Sequence, residues 1–241
     1  MSSEILSASS TSVIDNIIFR VVRPISVTSD LQIPELASEA ISIIDRVVRF
    51  RGEVIYENGL RPSFCLTDGS YADYCVFDRS SYHVLAYFND RLVGCVRLYL
   101  LSSGKSSYCE YFIGRQKIAK ISNDLGVSYH ELSEVSRWVV QPEFRGKNLG
   151  TLLMAGIIFL AHQLGQKIVL AMSGTVMKQD RALIRMGFQP VQDIPLYPEA
   201  TVMDNLRLIY LDLRSLEKIS LAAKVTKMSY ILDLNPSHFG A

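Results

Sequence analysis

The sequence predicts one α+β domain in which a mixed sheet is covered by helices. Two β-rich runs flank Asn89 and Asp90 early in the chain, which is a hairpin signature. Later, short apolar runs alternate with amphipathic helices in the order β-α-β-α-β. The 241 residues, 49% of them hydrophobic, are enough to bury one substantial core.

Local periodicity predicts the individual elements. Apolar residues recur at three and four from Pro34 to about Asn58, as in an amphipathic helix. Further helices are predicted at 108–123, 150–164, 176–187 and 213–230, and strands at 16–24, in two runs of 82–101, and at 130–140, 167–172 and 206–213. We expect a single domain at 16–230, between a flexible lead at 1–15 and a tail at 231–241.

Composition excludes several classes of protein. The charge is balanced, with 25 Lys plus Arg against 24 Asp plus Glu, so no global charge draws the chain to nucleic acid or an anionic membrane. The most apolar run, 152–161, is too short for a membrane span, and the start lacks the pattern of a secretory signal. The four cysteines have no zinc-ligand spacing, so we expect a cytoplasmic protein without a metal site.

The segment 139–153, VVQPEFRGKNLGTLL, carries a strand into a helix through a turn that contains glycine and cations. Backbone N–H groups at a helix N-terminus are unpaired and carry a partial positive charge, so such a turn can hold phosphate oxygens. Arg145 and Lys147 would add charge-assisted contacts. A plain strand-turn-helix with a basic turn is the alternative interpretation.

The preceding strand places polar residues on both faces. With period two, Glu134 and Ser136 share a face with Trp138, whereas Arg137 and Val139 point to the other face. Unpaired polar residues in an interior strand cost free energy, which favours a functional explanation.

Glu134 and Ser136 each allow a functional and a structural interpretation. Glu134 is either a general base that acts through water or an ion-pair partner, and we favour Arg97 over Arg137 as that partner. Ser136 either donates a hydrogen bond to the reacting carbonyl or leaving sulfur, or bonds the adjacent backbone.

The turn resembles motif A of the GNAT acyltransferases, whose Q/R-x-x-G-x-G/A loop holds the pyrophosphate of a pantetheine donor. Arg145 takes the Q/R position and Gly150 the last glycine, while Asn148 replaces the middle glycine and can adopt left-handed geometry. The resemblance implies the GNAT fold, a central mixed, mostly antiparallel sheet flanked by helices. It also implies a splayed strand whose N–H groups face the thioester carbonyl. The donor-binding residues would be Val139, Val140, Arg145, Gly146, Lys147, Asn148, Leu149 and Gly150.

A second GNAT-like segment, RALIRMGFQPV at 181–191, is similar to the part of the family that ends in GF. Leu183 stands where a general-acid tyrosine is often found. We therefore expect that acid to be absent or supplied elsewhere.

The strand EVSRWVV at 134–140 resembles the E-x-S-R-F strand of the acyl-homoserine lactone (autoinducer) synthases and the related long-chain N-acyl amino acid synthases. Similar landmarks extend over roughly 44–215. The resemblance implies that Glu134, Ser136 and Arg137 are catalytic. The implied substrate-binding residues are Arg51, Asp73, Asp78, Arg97, Phe112 and Trp138.

These substrate-binding candidates divide into two groups. The arginines and aspartates either bind the acceptor's carboxylate and amine or form a buried network that shapes the acceptor side, since the planar fork of arginine suits a carboxylate. Phe112 and Trp138 are candidates for an acyl-chain channel, or ordinary core residues.

The resemblance and the residues together predict an N-acyltransferase that moves a medium- or long-chain fatty acyl group to a primary amine. The donor would be a coenzyme A or acyl carrier protein thioester, used as a substrate and not permanently bound. The acceptor would be a free amino acid or a lysine or ornithine side chain of a peptide, as in lipopeptide biosynthesis. Alternatives are an inactive sensor of acyl carriers or acyl ligands and, disfavoured by Arg61 and the RGKNLG loop, a lactone synthase.

Overall fold

The computed structural model describes residues 16–25, 34–59, 61–103 and 106–232, with the side chains of 34–37 and 202 excepted. The predicted lead at 1–15 and residues 233–241 of the predicted tail lie outside the described residues.

A single mixed sheet organises the described part of the chain. Its eight strands are Ile17–Val22 (β1), Tyr82–Phe88 (β2), Arg91–Leu100 (β3), Leu132–Val140 (β4), Ile168–Gly174 (β5), Gln189–Pro190 (β6), Tyr197–Glu199 (β7) and Asp204–Asp212 (β8). They lie in the order β1-β2-β3-β4-β5-β8-β6, and β7 pairs with β8. β4 and β5 run parallel, whereas the other paired strands are antiparallel. The predicted α+β class with a mixed, mostly antiparallel sheet is confirmed.

Helices cover both faces of this sheet. The α-helices of the described residues are Pro34–Glu57 (α1), Tyr108–Ile113 (α2), Arg115–Asp124 (α3), Leu149–Gln163 (α4), Gln179–Arg185 (α5) and Ala222–Ile231 (α6). Apolar residues of α4 and α6 pack on one face in a core that includes Leu98 and Val135. On the opposite face, α1 packs against Leu85 and Val139, while α2 and α3 pack against Leu132. The second face carries the polar residues considered below.

The β2–β3 hairpin has the turn that its sequence predicts. Asn89 and Asp90 have φ values of 49° and 59°. Positive φ at both central residues is typical of a type I′ turn, whose twist matches that of the flanking strands. Asparagine and aspartate tolerate this conformation better than other non-glycine residues, so the local sequence determines the hairpin.

Several predicted boundaries are corrected. The helix predicted at 108–123 is two helices, because Gly114 at φ 88° separates α2 from α3. The helix predicted at 213–230 begins as the 3₁₀ segment Leu213–Lys218, and α6 follows only at Ala222. Strand β7 was not predicted, since it is three residues long and contains Pro198, which is unfavourable inside a strand.

Candidate active site

The site is organised by two parallel strands that part from each other. β4 and β5 pair at Leu132–Ile168, Ser133–Val169 and Glu134–Leu170. Beyond these pairs β4 continues to Val140 and β5 to Gly174 without a further pairing between them. The two facing strand edges therefore offer backbone N–H and C=O groups to an extended ligand between them. Val139 and Val140 lie in this open section, as the predicted splay requires.

A β-bulge in β4 corrects the predicted assignment of side chains to strand faces. Cys95 pairs with Val139 and Arg97 with Ser136, so β4 has one more residue than β3 in this interval. Arg137, at φ 54°, lies within the interval. Because an extra residue shifts the alternation by one, Ser136 and Arg137 both reach the same polar cluster. Trp138 instead packs with the core beneath α4, so its predicted place beside Glu134 is wrong.

Five charged residues form what we call the charge cluster: Arg51, Asp73, Asp78 and Arg97, which are buried, and Arg137, whose side chain is 15% exposed. Arg51 donates to both carboxylate oxygens of Asp78, at 2.9 and 2.7 Å, and to the carbonyl oxygen of Asp73 at 2.8 Å. Arg97 donates to Asp78 Oδ1 at 3.0 Å. Asp73 Oδ2 lies 3.0 Å from Arg51 Nε and 2.8 Å from Arg137 Nε. Residues from α1, the 65–81 loop, β3 and β4 thus meet at one point.

The protonation states of the cluster follow from burial and charge. Burial opposes the charged form of Asp78, but Arg51 and Arg97 outweigh it, and the pKa of Asp78 falls to about 2. Burial alone would lower the pKa of Arg51, yet the hydrogen bonds that Arg51 donates to Asp78 and the charge of Asp73 raise it. Asp78 and Arg51 are therefore both charged near neutral pH.

His83 lies beneath the charge cluster and is fully buried. Its Nε2 is 2.9 Å from the carbonyl oxygen of Asp78, to which the neutral ring donates. Burial lowers the pKa of His83 to about 4. The ring is therefore neutral at pH 7. In acid, the folded state is destabilised because it holds this histidine in its uncharged form.

We expect the free energy of unfolding to fall by about 3 kcal/mol as the pH drops from 6.5 to 4. In this range His83 binds a proton in the unfolded chain but stays unprotonated in the folded protein. The contribution of Asp78 is lost only at lower pH, between its ordinary value and about 2. Urea unfolding across this range should show a shallower pH dependence in His83→Gln. The exposed His130→Gln serves as control, and equal slopes in both variants would contradict the assignment.

Ser136 contacts the charge cluster through Arg97. Its Oγ accepts from Arg97 Nε at 3.2 Å and from Nη2 at 3.0 Å. Both arginine contacts use the oxygen as an acceptor, so the hydroxyl hydrogen remains able to donate.

Glu134 makes a contact that the sequence did not predict. Its Oε2 accepts the backbone N–H of Cys109, in the first turn of α2, at 2.6 Å. No arginine of the described chain lies within ion-pair distance of it, so the favoured pairing with Arg97 is wrong: Arg97 is directed to Asp78 and Ser136 instead. Glu134 is 1% exposed and is the last β4 residue paired with β5, at the closed end of the strand opening.

The turn before α4 has the geometry of an anion site. Gly146 and Asn148 have φ values of 73° and 68°, so Asn148 adopts the left-handed conformation expected of a glycine substitute. No side chain caps α4. Within the described chain, the N–H groups of Leu149, Gly150 and Thr151 have no acceptor, and the first bond of the helix is Leu152 N–H to the Asn148 carbonyl.

The side chains around this turn hold its shape. The Trp138 indole Nε1 donates to the Gly150 carbonyl at 2.9 Å, and a Cβ at Gly150 would lie 3.0 Å from the same indole. Arg145 donates through Nε to the Val140 carbonyl and through Nη1 to Asn58 Oδ1, both at 3.0 Å. Lys147 is exposed and lies over the Phe144 ring. Trp138 and Arg145 thus connect the turn to β4.

An aromatic row stands beside the charge cluster. Phe112 contacts the rings of Tyr108 and Tyr197 at centroid distances of 4.8 and 6.3 Å. Tyr108 also lies under the Arg137 guanidinium at 5.8 Å. Sequence reasoning missed Tyr108 and Tyr197. The helix predicted at 108–123 already begins at Tyr108, after the capping box formed by Ser107 and Glu110, but its sequence does not show that this ring faces Arg137.

Two features are absent from the described residues. None of their helices is long and apolar enough to cross a membrane. No group of three or more His, Cys, Asp or Glu side chains in the same ranges is arranged to hold a metal ion.

The sheet with its parting strands, followed by an uncapped helix N-terminus, defines an acyltransferase of the GNAT class. The chain belongs to the acetyltransferase (GNAT) family, whose model matches residues 54–188. Leu183, at the position of the family's frequent tyrosine, is buried in the core. No curated protein matches the sequence.

Solved structures with the same fold include two kinds of acyl synthase. The CoA-dependent acyl-homoserine lactone synthase BjaI, solved with SAM and isopentyl-CoA, is 16% identical, with 89% of this chain and 88% of that chain covered and a TM-score of 0.59. FeeM, an N-acyl amino acid synthase from uncultured soil microbes, is 12% identical, with 86% and 97% covered and a TM-score of 0.54. The AHL synthase LasI is 14% identical, with 82% and 90% covered and a TM-score of 0.54. The similarity establishes the shared fold.

Proposed function

We propose that the protein is an N-acyltransferase that transfers a fatty acyl group from a pantetheine thioester to a primary amine. The observation that carries this proposal is the opening between β4 and β5, which leads toward the uncapped amides of the 145–150 turn. A phosphate on those amides and a pantetheine arm between the strands would bring the thioester beside the polar face of β4. Val139 and Val140 would supply backbone groups near its carbonyl.

Glu134 and Ser136 would act on such a thioester. An amine must lose its proton before it attacks, and Glu134 would accept that proton through a water molecule. Ser136 keeps a hydroxyl hydrogen for the carbonyl oxygen or the leaving sulfur, because arginine donors occupy its acceptor side. No covalent serine intermediate is needed for direct transfer.

The donor and acyl chain are finer parts of the proposal. Coenzyme A and acyl carrier protein both present a phosphorylated pantetheine arm, which the 145–150 turn would bind in either case. BjaI, solved with isopentyl-CoA, is a fold relative that is CoA-dependent. The aromatic row of Phe112, Tyr108 and Tyr197 provides an apolar surface for a fatty chain or an apolar acceptor.

Product analysis tests the proposed function directly. Purified protein would be incubated with acyl-CoA or acyl carrier protein thioesters of two to sixteen carbons and a panel of primary amines, with free thiol and product mass recorded together. Amide products with medium or long chains support the proposal. If only acetyl adducts formed, the assignment of a fatty acyl group would be wrong. A lactone product would indicate an acyl-homoserine lactone synthase. If no thiol were released with any donor and amine, the proposal would be overturned.

The 145–150 turn can be tested separately through Asn148. Asn148→Val places a β-branched residue at positive φ, which costs about 1 to 2 kcal/mol and should weaken coenzyme A binding about tenfold. Asn148→Gly is the matched control, since glycine adopts this conformation freely and should bind like the wild type. Isothermal titration with coenzyme A and with phosphopantetheine measures both. Equal affinities in the three proteins would show that the turn does not hold the donor.

A further inference from the structure

Cys109 contacts the Glu134 carboxylate through two groups. Its backbone N–H donates to Glu134 Oε2 at 2.6 Å, and its thiol forms a further hydrogen bond with the same side chain. Both residues are buried, at 0% and 1% exposure. Burial and the charge of Glu134 raise the pKa of the Cys109 thiol, so the sulfur keeps its hydrogen and is a donor at neutral pH.

Bonds that do not involve Glu134 fix the first turn of α2. Ser107 Oγ accepts the Glu110 N–H at 3.1 Å, and Glu110 Oε2 accepts the Ser107 N–H at 2.7 Å. The other oxygen of Glu110 accepts the Tyr129 hydroxyl at 2.5 Å. A capping box of this kind determines where a helix begins. The direction of the Cys109 donors is therefore set by α2, and the longer Glu134 side chain is oriented against them.

The other neighbours of Glu134 supply no competing cation. β3 pairs Tyr99 with Glu134, and a phenol is uncharged at neutral pH. β5 pairs the apolar Leu170 with it. The charged neighbour from α2 is Glu110, whose two oxygens are already occupied. The arginines of the charge cluster pair with aspartates, and within the described ranges no cation lies at ion-pair distance from Glu134.

We propose that Cys109 is a positioning residue for acyl transfer, whose N–H and thiol direct the Glu134 carboxylate toward the water that takes the amine proton. A base that acts through water must present its oxygen in a fixed direction, and a displacement of about 1 Å can cost about a hundredfold in rate. A thiol is a weak donor, so it orients the carboxylate and leaves it basic, whereas a hydroxyl or a cation would stabilise the charged form more strongly. The inference rests on the proposed function and deepens it.

Alanine and serine at position 109 should shift the pH dependence of the reaction in opposite directions. The acidic limb of the kcat/KM profile reports protonation of the free enzyme's base. Cys109→Ala removes a donor to the carboxylate, so the limb should move to higher pH by about half a unit, and kcat should fall about tenfold. Cys109→Ser offers a stronger donor, so the limb should move to lower pH with a smaller loss of kcat. One acyl-CoA and one amine are used throughout, so ionisation of the substrate contributes equally.

Two control variants separate this role from a general effect on packing. Ile118 is 0% exposed and lies on α3, in the same core cluster as Cys109. Ile118→Val should lower the urea midpoint and leave the acidic limb in place. Cys65→Ser makes the same chemical change at a partly exposed thiol and should also leave the limb in place. The affinity for coenzyme A should be equal in all variants, because the 145–150 turn is unchanged.

The outcomes keep the two proposals apart. If the acidic limbs of the wild type and both Cys109 variants coincided, the inference would be overturned while acyl transfer stood. A shift in the same direction in both variants, or an equal shift in Ile118→Val, would also overturn it, since loosened packing would then explain the change. Cys109→Ser, which is close to cysteine in size, carries the test if Cys109→Ala fails to fold. Absence of thiol release by the wild type with every amine would overturn the proposed function itself and the inference with it.

Discussion

Glu134→Gln is expected to slow acyl transfer by about 10²- to 10⁴-fold, the usual contribution of a positioned general base. Glutamine cannot take the proton of the incoming ammonium group, but its carbonyl oxygen can still accept the Cys109 N–H that Glu134 accepts at 2.6 Å. The position of α2 should therefore be retained. Steady-state thiol release at saturating acyl-CoA, with the amine varied, measures the effect. The residual rate should rise with pH as more of the amine becomes unprotonated.

Glu131→Gln provides the matched control for this result. Glu131 also accepts a backbone amide, that of Ser128, and pairs with Lys167 on the protein surface. Its replacement should leave the rate unchanged. If Glu134→Gln retained wild-type activity at neutral pH, Glu134 would be a structural acceptor for α2, and the proton would leave by another route.

Asp78→Asn is expected to lower the free energy of unfolding by about 3 to 5 kcal/mol, because it leaves Arg51 and Arg97 buried without their shared carboxylate. Asparagine retains the shape but removes the charge, and its NH₂ group opposes an arginine donor. Urea unfolding at pH 7 measures the change. Activity should fall together with stability, since the charge cluster positions Arg137 through Asp73.

Asp124→Asn is the control for Asp78→Asn. It tests whether the loss of stability depends on burial of the charges and not only on the presence of an ion pair. Asp124 contacts Lys120 at 2.6 Å, but the two side chains are 59% and 74% exposed. Removing such a surface pair should change the free energy of unfolding by about 0.5 kcal/mol or less. Equal effects of the two substitutions would mean that the cluster is hydrated and weakly coupled, contrary to its burial.

Sequence patterns predicted the features that depend on neighbouring residues. The β2–β3 hairpin follows from Asn89 and Asp90, and the turn before α4 follows from Gly146 and Asn148, because these residues tolerate positive φ. The long α1 helix follows from apolar residues at helical spacing. The motifs at 139–153 and 134–140 carried the resemblance to the family that the chain belongs to.

The faces of β4 could not be predicted in this way. Strict alternation separates Ser136 from Arg137, but the bulge opposite β3 brings both to the charge cluster and turns Trp138 toward α4. A bulge arises from the register of two strands that are far apart in sequence, so the residues of β4 alone do not reveal it.

The sequence by itself determined the class of fold, the positive-φ turns and the types of residue available for chemistry, because each depends on local conformational preference and periodicity. Only the tertiary structure decided which charges neutralise one another. Asp78 is shared by arginines 27 and 19 residues away, and this sharing leaves the terminal nitrogens of Arg137 unpaired. Electrostatic balance depends on distances across the fold, and such distances exist only once the helices and strands have packed together.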